Sequence, residues 1–328
     1  MESSRARRSR RARPRRRRTL MYTALACVAV VGATAGGTVY VKAQAHSGTA
    51  SVSSAASPTV GTAGEEASVE PVTEPTVDHE RLLADAMESV TVPDAADVSV
   101  AVLDLDSGES ATYGTGAFDT ASIVKVDILA ALLLQAQDED RRLTASEKAY
   151  ATAMIENSDN DSASALWRII GEAAGLDAAN ERFGLTGTEG GDGMLWGLTQ
   201  TTAADQLTLL RQVFGDDSEL SEASRTYLQE LMGRIAADQH WGVSAAADGS
   251  AWALKNGWLP RSTTGLWDIN SIGRVTASDG DDYLVVALSN GNATKEKGIS
   301  LVESAARVAV SVFTGDSTSS SASATVSR

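Results

Sequence analysis

Three short motifs hold residue types that can do chemistry together. Ser122-Ile123-Val124-Lys125 puts a hydroxyl and an amine three positions apart at the expected start of a helix. Residues so spaced share a helical face, so Lys125 can reach the oxygen of Ser122. A serine hydroxyl is a weak nucleophile and needs such a base. Burial beside a second cation lowers a lysine pKa enough for it to accept the proton, and the helix N-terminus favours a nascent alkoxide. The same spacing also arises from a plain helix start whose lysine runs along apolar surface to water. Ser158-Asp159-Asn160 can present one hydroxyl and one amide to a cleft, with Asp159 bracing the turn; its other reading is an ordinary N-cap cluster. Lys255-Asn256-Gly257 sets a cation on an otherwise apolar strand beside a glycine, as where a ligand approaches the backbone closely. An edge-strand lysine that blocks aggregation has the same pattern.

Chemistry spread over three places needs elements that bring them together. Residues 79–89 carry Leu82, Leu83, Ala86 and Met87 at helical spacing. Residues 98–105 alternate, Asp106-Ser107-Gly108 turns, and 110–113 forms the second strand of a hairpin. Residues 122–137 read as a helix apolar nearly all round from Ile128 to Leu134, a pattern that belongs in the middle of a protein. At about 16 residues, with Lys125 and Asp127, it is too short and too polar to span a membrane. Helical spacing recurs over 145–154, 161–170, 176–183, 202–214 and 222–232. Strands follow over 251–254, 266–277 and 283–289, and an amphipathic helix closes at 297–313. This order implies an α+β fold of the three-layer α/β/α type. Its antiparallel sheet is built from both chain ends, with an all-helical lobe inserted between them.

Composition and charge set the context. The 328 residues include 28 Lys+Arg, 43 Asp+Glu, one cysteine and three histidines. Ten arginines lie between Arg5 and Arg18, which leaves residues 46–328 with 17 positive and 42 negative side chains. So acidic a body is a poor nucleic-acid binder, and the lone Cys27 excludes an internal disulfide or a Cys-rich zinc site. Residues 1–19 read as a basic cytoplasmic segment and the uncharged 20–41 as a membrane-spanning signal anchor. That stretch exceeds the roughly 7–15 residues of an export-signal core, which favours a retained anchor; Arg17-Arg18 and Ala43-Gln44-Ala45 favour a signal cleaved after Ala45. Either way the domain is expected outside the cytoplasm, membrane-held or secreted. Residues 42–78 read as a flexible linker, 79–314 as the folded domain and 315–328 as a disordered tail.

The order S-x-x-K, S-D-N, K-x-G, with Met154-Ile155 before Ser158 and Thr201-Thr202 opening a later helix, resembles the penicillin-recognising serine hydrolases, and within them the class A β-lactamases. The resemblance covers roughly residues 80–314 and implies a β-lactamase/transpeptidase-like fold. It implies that Ser122 is acylated with Lys125 as its base and that Ser158 relays a proton to the leaving nitrogen. Asn160 would bind a substrate amide carbonyl, Lys255 a carboxylate, and the backbone N–H groups of Ser122 and Trp258 would form an oxyanion hole. No cofactor or metal is implied. The expected partner is a β-lactam or a peptidoglycan stem peptide, beside the membrane at the N-terminal helix, and the expected state is a monomer.

The sequence departs from that family at three points. Asn256 stands where the family has Thr or Ser, and is expected still to offer its amide to a carboxylate. The stretch between Lys125 and Ser158 is shorter. The loop Thr188-Glu189-Gly190-Gly191-Asp192-Gly193-Met194-Leu195-Trp196-Gly197 lacks the E-x-x-L-N that activates the deacylating water. Glu189 could substitute, or it is a solvated loop carboxylate. Without that base an acyl-enzyme forms and hydrolyses slowly, which leaves room for a D,D-peptidase-like cell-wall enzyme or a non-turnover binding module. His240 is the one histidine placed for a Ser-His-Asp triad, and no G-x-S-x-G elbow holds Ser122. Trp196, Trp241, Trp252, Trp258 and Trp267 either wall the cleft or are buried.

Overall fold

Local capping signals start many of the elements. Asp78 opens α1 (His79–Met87), its carboxylate accepting from the Arg81 N–H at 3.0 Å. The computed structural model describes residues 77–315, which lie within the compact unit Val72–Arg328. The expected basic segment, membrane-spanning stretch, most of the linker and nearly all of the tail fall outside the described residues. Among those described, no helix is long and apolar enough to cross a membrane.

The hairpin β1 (Asp97–Asp104) and β2 (Ser110–Tyr113) turns through Gly108 at φ +75°. A two-residue strand, β3 (Phe118–Asp119), and a 3-10 turn over Ala121–Ile123 then lead into α2 (Val124–Asp138). Thr144 and Glu147 cap each other's backbone at the start of α3 (Ala145–Glu156). Asp159 caps α4 (Asn160–Ile170), and Gly171, at φ +100°, separates it from α5 (Glu172–Phe183). A short β4 (Gln200–Thr201) precedes α6 (Ala203–Phe214) and α7 (Glu222–Met232). The chain closes with β5 (Trp252–Pro260), β6 (Trp267–Thr276), β7 (Asp282–Asn292) and α8 (Lys295–Thr314).

Five of these strands form one antiparallel sheet in the order β2-β1-β7-β6-β5, so both chain ends build it. Side-chain alternation splits the interior in two. Ala101, Leu103, Leu284, Val286 and Leu288 face a helical lobe whose core includes Leu129, Leu132, Leu166, Trp167 and Leu210. Val100, Val102, Tyr283 and Val285 face the opposite way, onto Leu83 and Met87 of α1 and Leu301, Ala305 and Ala309 of α8. The three-layer α+β arrangement is the expected one. Helix α2 is buried on nearly every side, from Val124 to Ala136.

Two local expectations differ. β5 continues through Lys255, Asn256 and Gly257 to Pro260, well beyond the apolar run at 251–254, because buried polar side chains there interrupt the hydrophobic pattern. Strands β3 and β4 pair with each other at Phe118–Thr201 and Asp119–Gln200, and two residues carry no periodicity to read.

Helix α2 also buries Asp127. With its amide donating, Asn180 of α5 reaches both carboxyl oxygens at 2.9 and 3.2 Å. Burial first, then nearby Asp177 and Asp205, push this carboxyl up to about 8, against the Asn180 hydrogen bond. Between the ordinary aspartate value of 3.8 and about 8, the native state holds a proton that the unfolded chain has released. Stability therefore falls as pH rises through that window, by up to about 1.4 kcal/mol per unit. Asp127→Asn keeps the shape without the ionisation. Urea unfolding at pH 5 and pH 8 is expected to show a smaller difference for this variant than for the parent, and greater stability at pH 8.

Candidate active site

Ser122 sits on a strained turn held from two sides. Ala121, just before it, has φ +49°, a region that residues with a Cβ rarely occupy and that costs about 1–3 kcal/mol. From β6, the buried Asn270 donates Nδ2–H bonds to the carbonyls of Asp119 at 2.8 Å and Thr120 at 3.0 Å. From the 196–199 side, the Thr199 carbonyl accepts from Thr120 N–H at 2.9 Å. Gly257 of β5 lies so close that a Cβ there would stand 2.8 Å from Thr120 O and 2.9 Å from Ser122 N. The glycine expected to admit a ligand thus admits the Ser122 turn itself. The α-helix starts two residues later than the sequence suggests, at Val124, and Ser122 lies in the 3-10 turn.

The first turn of α2 directs Lys125 inward, where it is fully buried. Its Nζ lies 3.0 Å from Ser122 Oγ, 3.0 Å from Ser158 Oγ, 2.7 Å from Ser158 O and 2.8 Å from Asn160 Oδ1. Ser158 occupies the turn before α4 at φ +55°, and Asp159 fixes that turn by accepting from Ser162 N–H at 2.7 Å. Lys255, also fully buried, approaches from β5 and donates to Ser158 Oγ at 3.1 Å and Asn256 O at 2.9 Å. Desolvation lowers Lys125 to about 7, against the pull of Asp159. The same cause, with Lys125 adding repulsion, lowers Lys255 well below the ordinary lysine value. A neutral amine at Lys125 has two N–H bonds for the Ser158 carbonyl and Asn160 Oδ1, and a lone pair for the Ser122 hydroxyl.

These groups open into a cleft of about 570 Å³ walled by Ser122, Asn160, Met194 to Leu198, and Trp258 to Thr263. The structure therefore brings together Ser122, Lys125, Ser158, Asn160, Lys255 and, along the wall, Trp258. Two expected site residues lie elsewhere. Asn256 points to the opposite face of β5, where its Nδ2 gives both hydrogens to the carbonyls of Gln239 at 2.8 Å and Trp241 at 3.0 Å, leaving no donor for a substrate carboxylate. Glu189 is exposed; a backbone bridge with Gln200 fixes its position outside the cleft lining, which contains neither Asp nor Glu. His240 sets Nε2 3.1 Å from the Ile235 carbonyl and packs edge-on against Trp252. Trp241, Trp258 and Trp267 cluster around Ile269 and Val302 toward α8.

Two further residues join the site: Trp196, one of the tryptophans expected either to wall the cleft or to be buried, and Arg261, which carried no expectation from the sequence. Trp196 lays its ring 5.0 Å from Lys125 Nζ, and Arg261 lines the cleft while pairing with Asp119. The signal for Asn270 was present as a lone amide in a buried strand. Trp196 walls the cleft, one of the two places the sequence allowed it, while its approach to Lys125 had no local signal, since its loop has no regular period. Among the described residues, no group of three or more His, Cys, Asp or Glu side chains is disposed to hold a metal ion.

Residues 143–313 match the β-lactamase enzyme family, more than half of the chain. The chain belongs to this family. Membership makes it a serine hydrolase of the β-lactamase type. The match includes Ser158 and Lys255 but begins after Ser122 and Lys125, which the fold delivers to them. Among solved structures it is similar to PBP-A, at 21% identity and TM-score 0.62 over 72% of this chain and 96% of that one. It is similar to the TLA-1 extended-spectrum β-lactamase at 14% identity and TM-score 0.62, covering 72% and 98%. A β-lactamase from Chitinophaga pinensis aligns at 17% identity and TM-score 0.58, covering 71% and 98%. One structure of a PBP-A variant is an acyl-enzyme complex with penicillin G. No curated protein matches the sequence.

The packing of β5 against the Ser122 turn gives a test. Gly257→Ala forces the strand or the turn to move and is expected to cost about 1–3 kcal/mol in urea unfolding. Ser122 should lose reactivity in the same variant even where the protein remains folded.

Proposed function

We propose that this protein is an exported acyl-transferring enzyme that opens a β-lactam or a related amide through Ser122 and releases the acyl group slowly. The contact chain Ser122–Lys125–Ser158–Lys255, with every link at 3.1 Å or less, carries the proposal. Lys125 Nζ takes the Ser122 proton as Oγ bonds to the substrate carbonyl carbon. The backbone N–H groups of Ser122 and Trp258 take up the developing oxyanion. The C–N bond then breaks, Ser158 gives its proton to the leaving nitrogen, and Lys125 restores that proton across 3.0 Å. Asn160, its Oδ1 committed to Lys125, offers Nδ2 to a substrate amide carbonyl. Lys255 holds a lone pair of Ser158 and regains its charge when a substrate carboxylate offsets its desolvation.

Slow release follows from the cleft wall. Hydrolysis of the ester needs a base for water, and the lining supplies no carboxylate. The penicillin G acyl-enzyme captured for a PBP-A variant supports this reading by likeness. We place the domain outside the cytoplasm, held by residues 20–41, on the strength of the arginine block before that uncharged stretch.

Intact mass of the full chain after exposure to a penicillin tests the proposal. The parent is expected to gain the mass of the penicillin within minutes and keep it for hours, while Ser122→Ala gains nothing. Rapid loss of the adduct with penicillin consumed would make the protein a fast β-lactamase. An unmodified protein beside intact penicillin overturns the β-lactam reading. The acylation rate should rise with pH and reach half its maximum near 7, where Lys125 loses its proton.

A further inference from the structure

Beside its oxygen partners and the charges of Asp159 and Lys255, Lys125 has an aromatic neighbour that supplies no hydrogen bond. The Trp196 ring centroid stands 5.0 Å from Nζ, and the indole edge is fixed by Nε1 donating to Ser164 Oγ of α4 at 3.1 Å. Trp196 lies in a short 3-10 turn, Trp196–Leu198, between the exposed Met194 and Leu195 and the buried Thr199, whose carbonyl holds the Ser122 turn. The ring is therefore tied both to the serine's turn and to the helix behind Ser158. It also forms part of the cleft wall, between the open cleft and the buried amine.

A neutral Lys125 is satisfied by its oxygen neighbours, as described above. An ammonium in that place also finds oxygen acceptors, four within 3.0 Å, but still gains most from water beyond them. The indole face puts carbon where that water would stand. We propose that Trp196 is a positioning residue for Lys125, its ring holding the amine against Ser122 and excluding water from that side. This rests on Lys125 being the base for Ser122. It gives the loop a role in tuning the base, although it offers no acid of its own to the cleft.

An aromatic face also attracts a nearby cation, so the ring has two opposed effects on Lys125. Desolvation favours the neutral amine and the π-face favours the charged one. The proposal requires desolvation to win, because the amine already has its oxygen partners while a solvating water would be new.

The test follows the lysine signals directly and needs no substrate. The chain has only six lysines, so NMR of the full protein labelled with 13C at lysine Cε can follow each one across pH, with Lys125→Arg identifying the signal of interest. Trp196→Phe, which keeps an aromatic ring but loses the Nε1 bond to Ser164, is expected to raise the Lys125 midpoint only slightly. Trp196→Ala should raise it by at least one pH unit, and Ser164→Ala, which frees the ring without removing it, by less in the same direction. A midpoint that stays put or falls in Trp196→Ala, with the other lysine signals unchanged, overturns the proposal. Because this readout is independent of acylation, a parent that forms no penicillin adduct would count against the proposed reaction and leave the Trp196 result standing.

Discussion

Two lysine amines share one buried pocket, and that constraint organises the rest of the molecule. An isolated ammonium taken out of water is costly enough that proteins pair it or neutralise it. Neither Lys125 nor Lys255 is given a carboxylate in contact. Each is supplied instead with hydroxyl, carbonyl and amide oxygens, and Ser158 serves both at once. Those oxygens belong to the 158–160 turn, the Ser122 turn and, for the Asn256 carbonyl, β5 itself, while the amines arrive on a helix and an edge strand. The helical lobe and the sheet must therefore be locked together within a few tenths of an ångström, or an amine is left buried and unsatisfied. Asp159 contributes from outside that contact set: as the cap of α4 it fixes the turn, and its field partly opposes the loss of charge at Lys125.

The locking is visible as strain and as close approach. Ala121 and Ser158, one on each side of the pocket, both have left-handed backbone conformations despite carrying side chains. Such conformations persist only where the surroundings over-determine them. At Ala121 the surroundings are the paired hydrogen bonds from Asn270, the bond to Thr199, and the bare backbone of Gly257. The short β3–β4 ribbon extends the same grip, tying Asp119 to Gln200 and hence the serine's approach to the loop that carries Trp196. Rigidity on this scale suits a site whose reacting atoms must be in place before a substrate arrives.

The parts of this design that follow a period were legible in the sequence. Helices α2 to α7 and strands β1, β6 and β7 stand within a few residues of where the apolar spacing puts them, because burying one face is what forms them. Ser122, Lys125, Ser158 and Lys255 were legible as residue types in order. What a side chain does on arrival was less so. Asn256 looked like a substrate donor because its neighbours are. A strand points consecutive residues to opposite faces, however, and Asn256 spends its amide on the carbonyls of Gln239 and Trp241. Gly257 was read for a ligand and serves the protein's own backbone. Glu189 stands at a plausible distance along the chain, yet the bridge to Gln200 decides its place. Contacts between residues distant in sequence, such as Trp196 with Lys125, leave no local trace at all.

Helix α2 carries a second consequence of burial. Two residues after Lys125 it buries Asp127, so an amine and an acid within a single turn are both held toward their neutral forms. Their demands on pH are opposite. In the proposed reaction Lys125 takes the serine's proton as the neutral amine, the form that dominates above about 7. Asp127 is uncharged only below about 8, and above that value the lobe must hold a buried carboxylate whose one hydrogen-bonding neighbour is Asn180. The proposed chemistry therefore improves with rising pH while the scaffold under it weakens, and the two meet within about one unit on a single helix. A substitution that lowered the Lys125 pKa would widen that range from below, and one that removed the Asp127 charge would widen it from above. Because the two groups have different partners, Lys125 at the serine turns and Asp127 at Asn180, the two limits can be moved separately.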